Sequence, residues 1–194
     1  EMADIHYIRQ KETKGLGDAI LHAKQHVGEE PFAVLLGDTI VDSTIPVTRQ
    51  LIDIYDQYQQ SVVSVEEVAA EKVSRYGIVG GDDLSERLKK INIMIEKPDT
   101  GEAPSNLAFA GRYILTSQIF TCLEETSPGK HDEIQLTDAM NILLQRESIY
   151  ALRAQGKRHD IGNKMDYLKT IVEFGLKRPE FAKEFRTFLK DIIK

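Results

Sequence analysis

Short runs of β-branched and other apolar residues alternate with amphipathic stretches along the whole chain, and this alternation restricts it to an α/β fold with a mostly parallel sheet. Strands are predicted over 5–8, 32–36, 61–65, 76–79, 90–95, 107–115 and 149–153. Helices are predicted over 18–27, 48–59, 117–124, 137–147, 163–176 and 179–193. The run Phe32-Ala33-Val34-Leu35-Leu36 is apolar at every position, which reads as a central strand covered on both faces. Gly37-Asp38 ends it. In open α/β sheets ligands bind beyond the carboxyl ends of strands, so Asp38 stands where chemistry is expected.

The chain of 194 residues is long enough for one sizeable core and short for two, so a single domain over 1–194 is expected. Its 25 Lys and Arg against 31 Asp and Glu leave a net charge of −6, which disfavours a broad basic surface for nucleic acid. No stretch reaches the roughly 18 apolar residues of a membrane span, so no membrane partner is expected. The start, which runs at once into Ile5-His6-Tyr7-Ile8 without a leader, suits a shortened chain. Cys122, the only cysteine, lies in an apolar stretch and reads as an inert buried thiol, in keeping with a reducing cytoplasm. The stripe Phe181, Phe185, Phe188, Leu189 and Ile192 is at helical spacing and reads as packing, against its own sheet or a second subunit.

Four segments carry residues suited to chemistry. In Gln10 to Ala19 the glycines Gly15 and Gly17 either supply a permissive connector with Asp18 at a helix start, or let a planar base approach while Gln10 reads its edge with one donor and one acceptor. Asp38 is either a turn former or one of the one or two protein carboxylates that a hard divalent cation on a diphosphate needs. At Glu96-Lys97-Pro98 the bland alternative is an exposed strand end stopped by proline. The chemical alternative has Lys97 neutralising a sugar phosphate and Glu96 accepting from sugar hydroxyls. Neighbours on a strand point to opposite faces, so both serve one ligand only if the backbone leaves regular strand geometry near Pro98 or one acts through water. In the turn Gly156 to Lys164, Asn163 caps a helix, and Asp160 is a second metal carboxylate if the fold brings it to Asp38. His22 and His26, four residues apart with no Glu between them in a zinc-protease arrangement, read as surface histidines.

In this order, these segments resemble the bacterial UTP-glucose-1-phosphate uridylyltransferases, a family of sugar nucleotidylyltransferases. The resemblance spans nearly the whole chain. It is carried by Gln10 with Gly15-Leu16-Gly17-Asp18-Ala19, by Phe32 to Asp38, by Arg75-Tyr76-Gly77-Ile78-Val79 and by Ile95-Glu96-Lys97-Pro98. Further on it is carried by Ala103 to Ala108, Gly111-Arg112-Tyr113, Glu133-Ile134-Gln135-Leu136-Thr137-Asp138-Ala139 and Asp160-Ile161-Gly162-Asn163-Lys164.

The resemblance implies a Rossmann-like nucleotidyltransferase fold with a mostly parallel mixed sheet, truncated at the N-terminus. It implies formation of UDP-glucose and pyrophosphate from UTP and glucose 1-phosphate with Mg2+, in a cytoplasmic homo-oligomer. By matching position, Gln10 and Gly15 contact uracil, Gly77 and Glu96 the glucose, Lys97 the sugar phosphate, and Asp38 and Asp160 the metal, with Ala110 and Gly111 approaching the sugar through backbone. Family members begin with a strand and a glycine-rich, triphosphate-cradling loop that has no counterpart here, so the chain alone is expected to be inactive or nearly so. The alternatives are a sister enzyme for another nucleotide such as a thymidylyltransferase, and a non-catalytic sugar-nucleotide-binding or oligomerisation module.

Overall fold

The computed structural model describes residues 3–129 and 132–193, and the chain divides into two compact units. The larger comprises the chain up to Leu35 and Ile45–Gln155; the smaller comprises Leu36–Thr44 and the chain from Gly156 onward.

The larger unit holds a six-stranded sheet of β1 (Phe32–Leu35), β3 (Val62–Glu67), β4 (Gly77–Asp83), β5 (Leu88–Glu96), β6 (Leu107–Leu115) and β7 (Tyr150–Arg153). The strand order is β1-β6-β3-β7-β5-β4, and β4 also pairs with β6 through Ile78 and Val79. Helices α1 (Gly15–Leu21), α2 (Lys24–Val27), α3 (Val47–Tyr58), α4 (Gln118–Glu125) and α5 (Leu136–Leu144) belong to the same unit. The core lies where β3 and β6 meet the helices: Val62, Val63, Leu51, Leu115, Ile119 and Leu143 are wholly or almost wholly buried. In α5 the buried Leu136, Ala139, Met140 and Leu143 recur every three or four residues, which turns one apolar stripe inward. Gln50 ties Ile45 to Gln155, its amide nitrogen donating to the carbonyls of Ile45 (2.8 Å) and Gln155 (2.9 Å) while its oxygen accepts from the Gln155 N–H (2.8 Å).

The smaller unit pairs β2 (Thr39–Asp42) with β8 (Lys157–Asp160) antiparallel, followed by α6 (Lys164–Lys177) and α7 (Ala182–Ile192). Asn163 caps α6 as expected, its side-chain oxygen accepting from the N–H groups of Met165 (3.0 Å) and Asp166 (3.1 Å).

The α/β architecture is as expected, and four details of the sequence reading are corrected. The sheet is mixed, but only β3–β7 is parallel; the other pairings are antiparallel. One cause is that β4, β5 and β6 follow one another with no helix between: β4 and β5 pair as hairpin neighbours, and β6 returns to pair antiparallel with β4 rather than with β5. β1 is not a covered central strand: among the described residues it pairs with β6 alone, and its residues alternate between half-buried and exposed. Residues 5–8 form no strand and join no described sheet. The helix predicted over 18–27 is broken into α1 and α2 at His22 and Ala23. β2 and β8, four residues each and largely polar, carry too short a pattern to be read from sequence.

Candidate functional site

β5 delivers Glu96 as its last residue, and the chain turns immediately afterwards. Lys97 has φ +46°, a left-handed conformation that a long side chain adopts only when its surroundings impose it. Here the imposition comes from the Lys97 N–H, which donates to the Tyr76 carbonyl (3.0 Å), and from Pro98, which is buried directly after. The departure from strand geometry that the two side chains required is therefore present. Instead of pointing to opposite faces, Lys97 Nζ lies 3.4 Å from Glu96 Oε1. A cation and a carboxylate stand side by side, both partly open to solvent.

Gly77 lies opposite Glu96 in the β4–β5 register. A Cβ there would come within 2.7 Å of the Phe109 ring and 2.9 Å of Glu96 Oε2, so the glycine makes room for the carboxylate itself. On its other side Glu96 Oε2 accepts from the Thr137 hydroxyl at 2.6 Å. Asp138, next along α5, has its carboxyl pushed above the usual carboxylate range, first by burial and then by the charge of Glu96. Thr137 and Asp138 had no role in the sequence reading although they lie within the matched segment Glu133 to Ala139. Their offset from Glu96 is tertiary, and no local pattern signals it.

Ala110 and Gly111 fall in a bulge of β6: between the pairs Val63↔Tyr113 and Val65↔Phe109, the single residue Ser64 faces three residues of β6. Gly111 has φ +74°, which provides the left-handed step such a bulge uses. The Ser64 hydroxyl donates to the Arg112 carbonyl (2.9 Å) and accepts from the Arg112 N–H (3.1 Å), replacing the lost ladder bonds.

Gln10 is engaged differently from the expectation of one donor and one acceptor. Its amide nitrogen donates to Asp18 Oδ2 (2.5 Å) and to the Gly15 carbonyl (3.3 Å), which occupies both N–H groups and presents the amide as an acceptor. Gly15 and Gly17 have a packing reason of their own. A Cβ at Gly15 would sit 2.9 Å from the Ile134 carbonyl and one at Gly17 2.7 Å from it, because this turn is laced to the 133–134 segment by Gly17 N–H to Ile134 O (2.9 Å) and Ile134 N–H to Lys14 O (2.8 Å). His22 turns back on its own helix, with Nδ1 2.8 Å from the Asp18 carbonyl, and the ring of His26 lies against that of His6 with centroids 4.4 Å apart. Cys122 is buried, and burial pushes its thiol up, as fits an inert side chain.

In the smaller unit Thr39 pairs with Asp160 in the β2–β8 register, and the Ile161 N–H donates to the Asp38 carbonyl (2.8 Å). These bonds converge the two carboxylates on Gly162: a Cβ built there would lie 3.2 Å from Asp38 Oδ2 and 3.3 Å from Asp160 Oδ1. Arg158 Nη1 stands 3.7 Å from Asp160 Oδ2. Among the described residues no cluster of three or more His, Cys, Asp or Glu could enclose an ion. Two carboxylates around a side-chain-free glycine fit a hard cation that keeps waters and substrate oxygens as its other ligands, and do not fit an all-protein cage.

Residues 2–174 match the nucleotidyl transferase family. The UTP–glucose-1-phosphate uridylyltransferase YngB of Bacillus subtilis (strain 168) is 46% identical over 194 residues, which is 100% of this chain and 65% of that protein. A UTP–glucose-1-phosphate uridylyltransferase of Staphylococcus epidermidis is 44% identical over 192 residues, 99% of this chain and 67% of its own length. A UDP-glucose pyrophosphorylase solved in complex with UDP-glucose superposes with a TM-score of 0.86 at 47% identity, over 89% of this chain and 66% of that one. The chain thus spans about two-thirds of the length of the relatives it matches. With its α/β sheet, the turn at Lys97 and these similarities taken together, the chain belongs to the nucleotidyl transferase family, alongside the UTP–glucose-1-phosphate uridylyltransferases.

Proposed function

We propose that this chain carries the sugar-nucleotide-binding part of a uridylyltransferase that makes UDP-glucose and pyrophosphate from UTP and glucose 1-phosphate. The observation that carries the reading is the left-handed turn at Lys97, which sets an ammonium beside the Glu96 carboxylate. A sugar phosphate has both the anion and the hydroxyl donors that this pair would meet. The relatives bear the name of this activity, and one solved neighbour contains UDP-glucose.

In this reading Lys97 neutralises the phosphate of glucose 1-phosphate, Glu96 accepts from glucose hydroxyls next to Gly77, and the bulge at Ala110 and Gly111 brings backbone toward the sugar. Gln10 and Gly15 meet uracil. Asp38 and Asp160 would hold Mg2+, which when bound withdraws charge from phosphate oxygens. The attacking group is a sugar-phosphate oxygen that already carries negative charge, so no general base is needed. The protein's contribution is positioning and reduction of repulsion between two anions. A cytoplasmic homo-oligomer without nucleic-acid partners belongs to the same proposal, supported by the net charge of −6 and by the exposed Phe181, Phe188 and Ile192 of the last helical segment. No described helix is long and apolar enough to cross a membrane.

The test is calorimetric titration of the chain with UDP-glucose, with and without Mg2+. Binding that Mg2+ strengthens, that Lys97→Ala weakens, and whose Mg2+ dependence disappears in Asp38→Asn and Asp160→Asn is the expected result. Binding without any Mg2+ dependence would favour the non-catalytic module, and no binding by a folded chain would overturn the reading.

A further inference from the structure

We infer that Thr137 is a positioning residue of the sugar subsite, holding Glu96 Oε2 through its hydroxyl so that Oε1, beside Lys97 Nζ, is the oxygen offered to the ligand. The inference rests on the uridylyl reading above and adds to it a residue on a separate element.

Thr137 is 4% exposed and its hydroxyl is 2.6 Å from Glu96 Oε2, the short separation of a hydroxyl donating to a carboxylate. Its placement is not an accident of one rotamer. One helical turn further along α5, Asn141 donates to the Met94 carbonyl (3.1 Å), so two polar side chains on one face of the helix fasten it to β5 at positions 94 and 96. The buried Leu136, Met140 and Leu143 fix the rotation of the same helix.

Four groups border the carboxylate, whose side chain stays 25% exposed. Thr137 holds one oxygen, Gly77 leaves space against it, the Phe109 ring lies against Gly77, and Lys97 stands by the other oxygen. Glu96 also has a like charge close by in Asp138, whose carboxyl responds to it. Two neighbouring carboxylates repel, and an untethered Glu96 side chain would relax away from Asp138 by turning about its own bonds. A neutral hydroxyl suits the task better than a cation would. It donates one hydrogen bond to one oxygen, keeps the negative charge intact, and leaves the second oxygen free to accept from a sugar hydroxyl.

The experiment titrates glucose 1-phosphate, UDP-glucose and UMP into the wild-type chain and into Thr137→Val, Thr137→Ser, Glu96→Gln and the double variant Glu96→Gln/Thr137→Val, with thermal unfolding of each. Thr137→Val keeps the shape and removes the donor. It is expected to weaken both sugar ligands roughly tenfold, equivalent to about 1.4 kcal/mol, while UMP changes less than about twofold. Thr137→Ser restores the sugar ligands to within about threefold, and Thr137→Val adds nothing further once Glu96 is Gln, the non-additivity of residues that act through one another. Unchanged sugar affinity in Thr137→Val overturns the inference. So does an equal loss of all three ligands that Thr137→Ser fails to rescue, since that pattern belongs to a packing role alone. A wild-type chain that binds none of the three ligands removes the uridylyl reading itself. UMP binding with intact sugar affinity in the Val variant removes only the role of Thr137.

Discussion

Replacing Lys97 separately by glycine and by alanine divides what its backbone costs from what its side chain does. At φ +46° an L-residue stands in a left-handed conformation that costs about 1–2 kcal/mol. Alanine keeps the Cβ and therefore that cost, whereas glycine removes it and adds back about 0.4–1 kcal/mol through the greater freedom of the unfolded chain. Lys97→Gly should therefore be more stable than Lys97→Ala by about 1 kcal/mol, or about 2–4 °C in Tm for a chain of this size. Loss of the 3.4 Å pair with Glu96 is common to both variants. With the Lys97 side chain 54% exposed, the pair contributes under about 1 kcal/mol. Both variants lose the ammonium and should bind glucose 1-phosphate about 10- to 100-fold more weakly, the range for hydrogen bonds to charged groups. Differential scanning calorimetry and titration on the same preparations measure the two effects. An alanine variant as stable as the glycine variant would refute the strain argument, and a glycine variant that keeps its affinity would refute the role of the ammonium.

Gly77→Ala places a methyl 2.7 Å from the Phe109 ring and 2.9 Å from Glu96 Oε2, so unfolding experiments should show a loss of about 1–3 kcal/mol with a parallel fall in glucose 1-phosphate affinity. Asp18→Ala frees the Gln10 amide from its 2.5 Å anchor, and titration should show weaker UMP binding with glucose 1-phosphate affinity unchanged. For Asp138 the carboxyl is raised by burial first and by Glu96 second, so its ionisation opposes folding above the raised value, and that penalty is relieved as pH falls toward the ordinary value of 3.8. Asp138→Asn should accordingly raise Tm at pH 7, with the gain shrinking as the melts are repeated toward pH 4; a gain that grows on acidification would contradict the assigned cause.

The elements that were legible share one property: their signal lies within a few residues. The apolar, β-branched and aromatic run at 107–115 matches β6 residue for residue, and the periodic apolar residues of α3, α5 and α6 place those helices to within a few residues. The matched motifs similarly brought out Glu96, Lys97, Asp38 and Asp160 as residues worth weighing, and even the geometric condition that Glu96 and Lys97 had to meet was evident from the two-residue period of a strand. What misled was also local: an apolar run at 32–36 looks the same whether the strand gains one neighbour or two, and short polar strands such as β2 and β8 look like loops.

By itself the sequence determined an α/β chain, most of its helices and strands, and the residues that mark its family, because hydrophobic periodicity and turn chemistry act between near neighbours. Only the tertiary structure decided that the sheet is predominantly antiparallel, that Lys97 turns back beside Glu96, and that Thr137, 41 residues further on, holds the Glu96 carboxylate. The physical reason is distance along the chain: those contacts exist only once loops close and a helix docks on a strand, and the burial and hydrogen bonding that favour them belong to the packed whole rather than to any segment of it.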